Sequence, residues 1–477
     1  MARARVQMLS RSESEEIHGA SIRILEKSGA IVRSTEALKL LSSAGAKVIK
    51  KDMRVFFTEA MTKEAIRTAQ RTIVLGARNP KHDLKIPNEG FPFISTDGFA
   101  VQMRDSSTGV KRSSTREDLR KWATLADALE TIDLLWPSVG ATDLPPHLQL
   151  VGGLRTCYES TEKHVQYQAF SGEEAKLEIE MAQTIAGGED ENRKRPHFSS
   201  IQCIVAPLQY DEGSTDALIE FARAGIPVIA MSMVSPGITG PTTFAGSVAL
   251  ANAEVLGSLV ISQLAKAGAP LFYCFVCAPL DMKSGNFATG SPEYGVLSVA
   301  GSEMARYHKL PSMMGGLGTS AKFPGVQVGF EKALSTMSVA LAGCDLLTGC
   351  GGLGDASFMS MEQMLIDSQI WEDIKRAWQG MDVNESELAM DVIEKVGPKG
   401  QYLVHPHTFS TFRRLHISKF SDRSSYMAWE SSGKKDMVFT VESEVQKILS
   451  THEPAPLSSD VEESLGFIEE KANKSLG

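Results

Sequence analysis

Cysteine is scarce in this 477-residue chain. Six residues, Cys157, Cys203, Cys274, Cys277, Cys344 and Cys350, are scattered through apolar segments. That scatter argues against a disulfide framework and for reduced, buried thiols in a cytoplasmic protein. Cys274 and Cys277 form a C-x-x-C, but LFYCFVC reads as a strand. An offset of three on a strand sends two thiols to opposite faces, which argues against a zinc site, and no metal is expected. Basic blocks and zinc-finger spacings are missing and the net charge is −9, so nucleic acid is not an expected partner. An unbroken apolar run of membrane length is missing too. The longest, around Val248–Ala265, is interrupted by Asn252, Glu254 and Gln263, so no membrane span is expected. The opening MARARVQMLSRSESEEIHG has arginines with no apolar run after them, unlike a secretory leader.

What is present is an ordinary globular composition, 42% hydrophobic and 22% charged, enough for a large core. Residues 1–90 read as an α+β cap, with helical patterns over Glu15–Ser28, Thr35–Ala44 and Thr62–Arg71 and a strand pair at Lys47–Lys50 and Val55–Phe57. Over 91–379 short apolar runs alternate with amphipathic helices. The runs are Phe93–Thr96, Ile132–Trp136, His164–Phe170, Phe198–Val205, Pro227–Val234, Pro270–Ala278, Leu310–Leu317 and Asp345–Gly349. From His164 onward they start about 29 to 43 residues apart, the length of one strand-plus-helix unit. Eight such units with apolar strands predict an α/β fold, a closed (β/α)8 TIM barrel. Residues 380–477 read as a mixed C-terminal extension packing on the barrel, with helices near 440–450 and 459–474.

In such a barrel, function sits on the loops that follow the strands. The last four are long and rich in Gly, Ser, Thr and Pro, as in APLDMKSGNFATGSPEYG and GGLGTSAKFPG. After the eighth, Gly349-Cys350-Gly351-Gly352-Leu353-Gly354 matches a dinucleotide or phosphate turn. It closes the last unit rather than opening the first, and the acids that follow, Glu372 and Asp373, fall in a helix. A barrel enzyme of another class, using residues 349–354 for a phosphate or nucleotide, is the rival reading. His405 and His407 in HPHT would share one face of a strand, yet no acid of matching spacing completes a metal site. Phe99, Trp136, Phe170, Met231, Met233, Phe275, Phe287, Tyr294 and Phe323 lie at strand ends and on these loops. Each singly fits plain core packing. Together they fit a π-faced pocket for a quaternary ammonium, which carries charge but donates no hydrogen bond. Asp97, Asp281, Glu293 and Asp355 add negative potential, and Lys283 and Lys322 can meet a carboxylate.

Several segments together resemble one family. APLDMKSGNFATGSPEYG, LPSMMGGLGTSAKFPGVQVGFEKALSTMSVALAGCDLL, MEQMLIDSQI, QYLVHPHTFSTFR and the opening IHGASIRILEKSGAIV are similar to the trimethylamine:corrinoid methyltransferases. The resemblance implies methyl transfer from a methylated amine to the Co(I) corrinoid (cobalamin) of a separate corrinoid protein. No cofactor would be bound by this chain itself, consistent with the missing D-x-H-x-x-G signature. Members acting on trimethylamine carry pyrrolysine after the seventh strand, where this chain has Ser320-Ala321-Lys322-Phe323-Pro324 and Phe323 takes that position. The chain thus resembles the branch without pyrrolysine, associated with glycine betaine and related quaternary amines. Trimethylamine remains an alternative substrate. Betaine-type members carry a histidine near Thr348, so this substrate can differ from glycine betaine. By strand-end position, Trp136, Phe170, Phe275 and Phe323 are candidates for the ammonium and Gln202, Lys322 and Thr348 for the polar end. Gly349, Gly351 and Gly354 are candidates for a corrinoid contact. A homo-oligomer is left open.

Overall fold

The computed structural model of the protein describes residues 5–88, 90–106 and 108–477. Residues 1–4 and Glu89 of the expected cap lie outside them. Eight parallel strands close into a barrel: β1 (Phe93–Thr96), β2 (Leu134–Leu135), β3 (His164–Tyr167), β4 (Phe198–Ile204), β5 (Val228–Ser232), β6 (Leu271–Phe275), β7 (Ser312–Gly315) and β8 (Leu346–Cys350). Each pairs with the next in sequence, and β8 returns to β1 with Leu346 opposite Phe93. Alternate residues face opposite ways. Leu134, Trp136, Ile201, Ile229, Met231, Phe272, Cys274, Met313 and Leu346 pack together inside the barrel. Val165, Tyr167, Phe198, Val228, Tyr273, Phe275 and Leu347 join the layer beneath the helices. Both faces are largely apolar, which is why most of these strands lack polar alternation.

The helices are α1 (Arg116–Ala128), α2 (Gln149–Ser160), α3 (Gly172–Ala186), α4 (Glu212–Ala224), α5 (Phe244–Ala265), α6 (Pro292–His308), α7 (Val326–Ala342) and α8 (Met361–Gln379). Local chemistry sets their starts. Thr115 and Asp118 form a capping box on α1, while Ser171, Asp211 and Ser360 cap α3, α4 and α8. The periodicity did not predict α2, whose QLVGGLRTCYES carries two adjacent glycines. The structure explains one of them: a Cβ on Gly153 would lie 2.8 Å from Tyr167 Oη.

The longest apolar helix, α5, is a core element. From Ser247 to Gln263 every residue except Leu250 is buried. The N-terminal helices Arg11–Arg23, Thr35–Ser43 and Glu59–Thr68 cover its outer side. One of its polar interruptions, Asn252, ties that docking to the barrel. Asn252 Nδ2 donates to Ser21 Oγ (2.8 Å), and Asn252 Oδ1 accepts from Tyr273 Oη (2.8 Å). The N-terminal sheet also borrows a strand from the barrel, since Gln209–Tyr210 after β4 pairs in parallel with Ala30–Val32.

A hairpin that sequence reading did not foresee, Ile73–Leu75 with Leu84–Ile86, plugs the floor. It sends Ile73, Leu75, Leu84 and Ile86 into the interior cluster. Gly76 N donates to Pro196 O (2.7 Å) and Asn79 N to Glu162 O (3.0 Å), tying it below β4 and β3. At the other terminus, Met437–Thr451 packs on α1 and α8, and Ser459–Ser475 on α2 and α3. HPHT is not a strand: His405 caps the short helix Pro406–Thr411, its Nδ1 accepting from His407 N (3.1 Å). Proline at the first helical position favours that geometry.

Candidate active site at the barrel mouth

Polar side chains inside the barrel change character from floor to mouth. At the floor His164 is fully used. Its Nδ1 meets Gly76 O and its Nε2 meets Ser199 Oγ, both at 2.8 Å, and burial drives its pKa down to about 4, so it is neutral. One layer up, Gln166 Nε2 reaches only Met313 Sδ (3.5 Å), and Gln166 Oε1 has no partner. Trp136 Nε1 in the interior cluster also has none. Unpartnered polar atoms that face the barrel interior are open to a ligand or water.

Higher still the barrel opens. The Cys203 thiol continues the inward face of Ile201, is exposed to solvent, and is nevertheless pushed up to about 11 by burial among protein groups. Accessibility inside a ring of protein describes a recess. Asp97 follows β1 on the face of Phe93 and Ser95. Its backbone N–H donates to Cys350 O (2.9 Å) and its Oδ1 accepts from Gly98 N (2.7 Å). Burial raises its carboxyl to about 6, against the opposing pull of Lys332. The Tyr294 ring, from the start of α6, lies over Gly315 and Gly318. At the inward positions of the eight strands and their continuations, Asp97 is the one charged side chain among the described residues.

The rim is cross-tied. Asp355 Oδ1 accepts from Thr289 N, Thr289 Oγ1 and Ser320 Oγ, each at 2.8 Å, joining the loops after β6, β7 and β8. Glu331 Oε2 accepts from Thr319 Oγ1 (2.6 Å) and Ser320 N (3.0 Å). These contacts fix the segment that carries Lys322 and Phe323.

The Gly-rich turn is a wall, which corrects the phosphate reading. Behind it lies a fully buried ion pair, Lys332 Nζ to Asp367 Oδ2 at 2.6 Å. Lys332 also donates to Gly349 O (3.2 Å), and Asp367 accepts from Gly351 N (2.7 Å). Gly354 N is taken by Ala321 O (2.8 Å). Two of the amides that a phosphate turn would present are thus committed inside the protein. Glycine is required for packing: Gly349 has φ +124° and a Cβ there would sit 2.0 Å from Gly316 O. At Gly351, φ is +89° and a Cβ would sit 2.2 Å from the Trp122 ring.

Of the residues singled out by sequence, Trp136 and Thr348 lie at inward positions. Thr348 is buried, its Oγ1 donating to Thr96 O (2.9 Å). Phe170, Lys322 and Phe323 are exposed on the rim loops, with Lys322 Nζ donating to Ser320 O (2.5 Å). Two are corrected. Phe275 faces the helices, 5.0 Å from the Tyr273 ring. Gln202 pairs in register with outward Ala230 and donates to Ser200 Oγ (2.8 Å). Gly349, Gly351 and Gly354 are buried in the wall rather than presented at the surface. Gln166, Gln168 and Cys203 were missed. A signal for two of them was present, since His164, Gln166 and Gln168 place polar side chains at every second position of an apolar strand. Among the described residues, no group of three or more His, Cys, Asp or Glu side chains is arranged to hold a metal ion.

The family model described as trimethylamine methyltransferase (MTTB) matches residues 2–476. The chain belongs to that family. It is 35% identical to trimethylamine methyltransferase MttB of Desulfitobacterium hafniense, covering 97% of this chain and 93% of that protein. It is 31% identical to MttB of Methanosarcina barkeri, over 99% and 96%. A protein named glycine betaine methyltransferase, also from Desulfitobacterium hafniense, is 29% identical over 98% of both chains. Membership makes this MTTB-family chain a methyltransferase on a (β/α)8 barrel, and it turns attention to the amine its mouth accepts.

Proposed function

We propose that this chain transfers a methyl group from a quaternary amine, glycine betaine or a related betaine, to the Co(I) corrinoid of a separate corrinoid protein. The observation that carries this reading is the recess itself. Asp97 stands as the lone inward charge among Trp136, Tyr294, Cys203 and Met231, a setting that favours a cation unable to donate hydrogen bonds. The relative named glycine betaine methyltransferase supports the substrate class. Phe323 at the position that the resemblance gives to pyrrolysine supports it as well. We take residues 91–379 as the catalytic barrel, with 1–90 its cap and 380–477 its extension.

The chemistry asks little covalent work of the protein. One N–CH3 bond breaks, its electron pair stays on nitrogen, and a neutral tertiary amine leaves. The methyl carbon takes its new bond from the electron pair of Co(I), so no proton moves. The chain's task is to hold one methyl in line with the acceptor and to exclude water. Asp97 balances the ammonium charge, the Trp136 face and Tyr294 bound it, and Trp136 Nε1 and Gln166 Oε1 are free to meet a polar substituent. Phe323 and Lys322 stand on the rim where the corrinoid protein approaches.

Mixing the chain with a Co(I) corrinoid protein and a panel of betaines should convert the Co(I) absorption spectrum to that of the methylated corrinoid and release the demethylated amine. Trimethylamine is the control, because relatives carry its name. Turnover of trimethylamine alone, or of no methylated amine, refutes the reading.

A further inference from the structure

The recess carries charge of one sign. At its inward positions Asp97 is the one charged side chain among the described residues. The nearby cations are spent or stand outside. Lys332 is fully buried behind the wall and paired to Asp367 at 2.6 Å. Lys283 and Lys322 are exposed on the loops after β6 and β7. Asp97 itself is firmly seated. Gly98 N donates to its Oδ1 (2.7 Å), and its Oδ2 fills the space that a Cβ on Gly352 would take. One negative charge without a positive one matches a cation better than a zwitterion.

Register brings polar atoms beside that charge. Ser95 pairs with Leu134, and Leu134 with His164. Two residues further along each strand stand Asp97, Trp136 and Gln166, neighbours on β1, β2 and β3. Side chains tie β1 to β2 at this level: Trp136 N donates to Thr96 Oγ1 (2.8 Å) and Ser138 Oγ to Asp97 O (2.6 Å). The Trp136 ring reaches across to Gly98, where a Cβ would lie 3.6 Å from it. An ammonium on that ring is therefore next to Asp97. Adjacent strands are about 4.8 Å apart, so from there a two-carbon arm spans the distance toward Gln166.

The polar atoms on that side ask for a particular group. Trp136 Nε1 only donates. Gln166 Nε2 lies on Met313 Sδ (3.5 Å), which leaves Oε1, an acceptor, without a partner. Turned over, the amide would set its oxygen against that sulfur, acceptor to acceptor. A hydroxyl meets both atoms, accepting from Trp136 and donating to Gln166. A carboxylate only accepts. It would face Gln166 Oε1 and Asp97 with no cation beside it, and an unpaired buried charge is costly. In glycine betaine the carboxylate is one carbon from the nitrogen, so it stays in the recess whenever the ammonium sits on Asp97. We propose that the recess selects, among quaternary amines, one with a hydroxyl two carbons from its nitrogen, and tolerates a carboxylate only beyond that hydroxyl, toward Lys322 on the rim. This narrows the quaternary-amine reading above and rests on it.

Isothermal titration of the full chain with three ligands tests this apart from turnover. They are choline, glycine betaine and ethyltrimethylammonium, which is choline without its oxygen. Choline should bind about tenfold more tightly than either of the others. Trp136→Phe keeps an aromatic face and removes Nε1, and Gln166→Leu removes Oε1. Each should lower choline affinity toward that of ethyltrimethylammonium and leave the latter unchanged. Asp97→Asn should shrink the gap between choline and glycine betaine. Glycine betaine binding as tightly as choline overturns the proposal and leaves the quaternary-amine reading standing. So does choline binding no better than ethyltrimethylammonium, or a loss in the Trp136 and Gln166 variants that is equal for both. A choline-to-betaine gap unchanged in Asp97→Asn overturns it as well. If none of the three ligands binds, the quaternary-amine reading itself falls, and this proposal with it.

Discussion

The two ends of this barrel are built from the same eight strands, yet they treat polar atoms differently. At the floor His164 spends both ring nitrogens, and a hairpin seals the interior with Ile73, Leu75, Leu84 and Ile86. One layer up Trp136 Nε1 and Gln166 Oε1 are left without partners, and at the mouth Asp97 receives one backbone amide and shares its surroundings with solvent. A barrel selected for stability alone would satisfy both ends alike. The difference separates residues that hold the fold from residues that wait for a ligand.

The largest expected effect breaks the wall behind the mouth. Lys332→Met strands Asp367 as a buried, unpaired charge and should cost about 3–5 kcal/mol. Urea unfolding measures it, and a loss below about 1 kcal/mol would mean the pair does not hold the turn. Next is Asp97→Asn, which should raise the KM for a quaternary amine by roughly thirtyfold, about 2 kcal/mol, with the fold intact. Asp97 titrates near 6 in the free protein, and a bound cation favours its ionised form. Wild-type affinity should therefore improve as pH rises through about 6, and the asparagine variant should show a flat profile. Isothermal titration between pH 5 and 8 decides it.

The floor should respond the opposite way. Ser199→Ala removes the partner of His164 Nε2 and should destabilise by about 1–3 kcal/mol without altering KM. A change in KM would erase the distinction between the ends. The smallest effect sharpens the comparison outside the barrel interior. Glu178 on α3 has both carboxyl oxygens buried without a partner, and burial holds its pKa well above the usual range. A raised acid contributes stability that is full below its unfolded pKa near 4.5 and is lost as pH climbs toward its folded value. Glu178→Gln should gain stability relative to wild type as pH rises from 5 to 8, read from melting curves at both.

Much of the architecture was legible because its signals are local. The apolar runs and the amphipathic stretches between them placed most strands and helices to within a few residues. What was not legible depends on the third dimension. α2 hides behind Gly152 and Gly153, the second of which is there because Tyr167 comes close. The floor hairpin offers little periodicity over strands of three residues. In the site, nearness to a strand end was a poor guide, since one residue's shift reverses facing. Cys274 points inward and Phe275 outward for that reason alone. The alternation HVQYQ carried the better signal, because polar residues at every second position of a two-sided apolar strand share one wall.

The parallel pairing of Ala30–Val32 with Gln209–Tyr210 has a consequence for how the chain is made. The N-terminal segment leaves the ribosome first, but its sheet is completed only after residue 210 has been synthesised. The apolar helix it must cover, α5, arrives later still. Contacts so distant in sequence form slowly. During that interval the opening residues act as a lid waiting for its vessel, and a chain shortened at its start would release α5 bare, as bait for aggregation and chaperones.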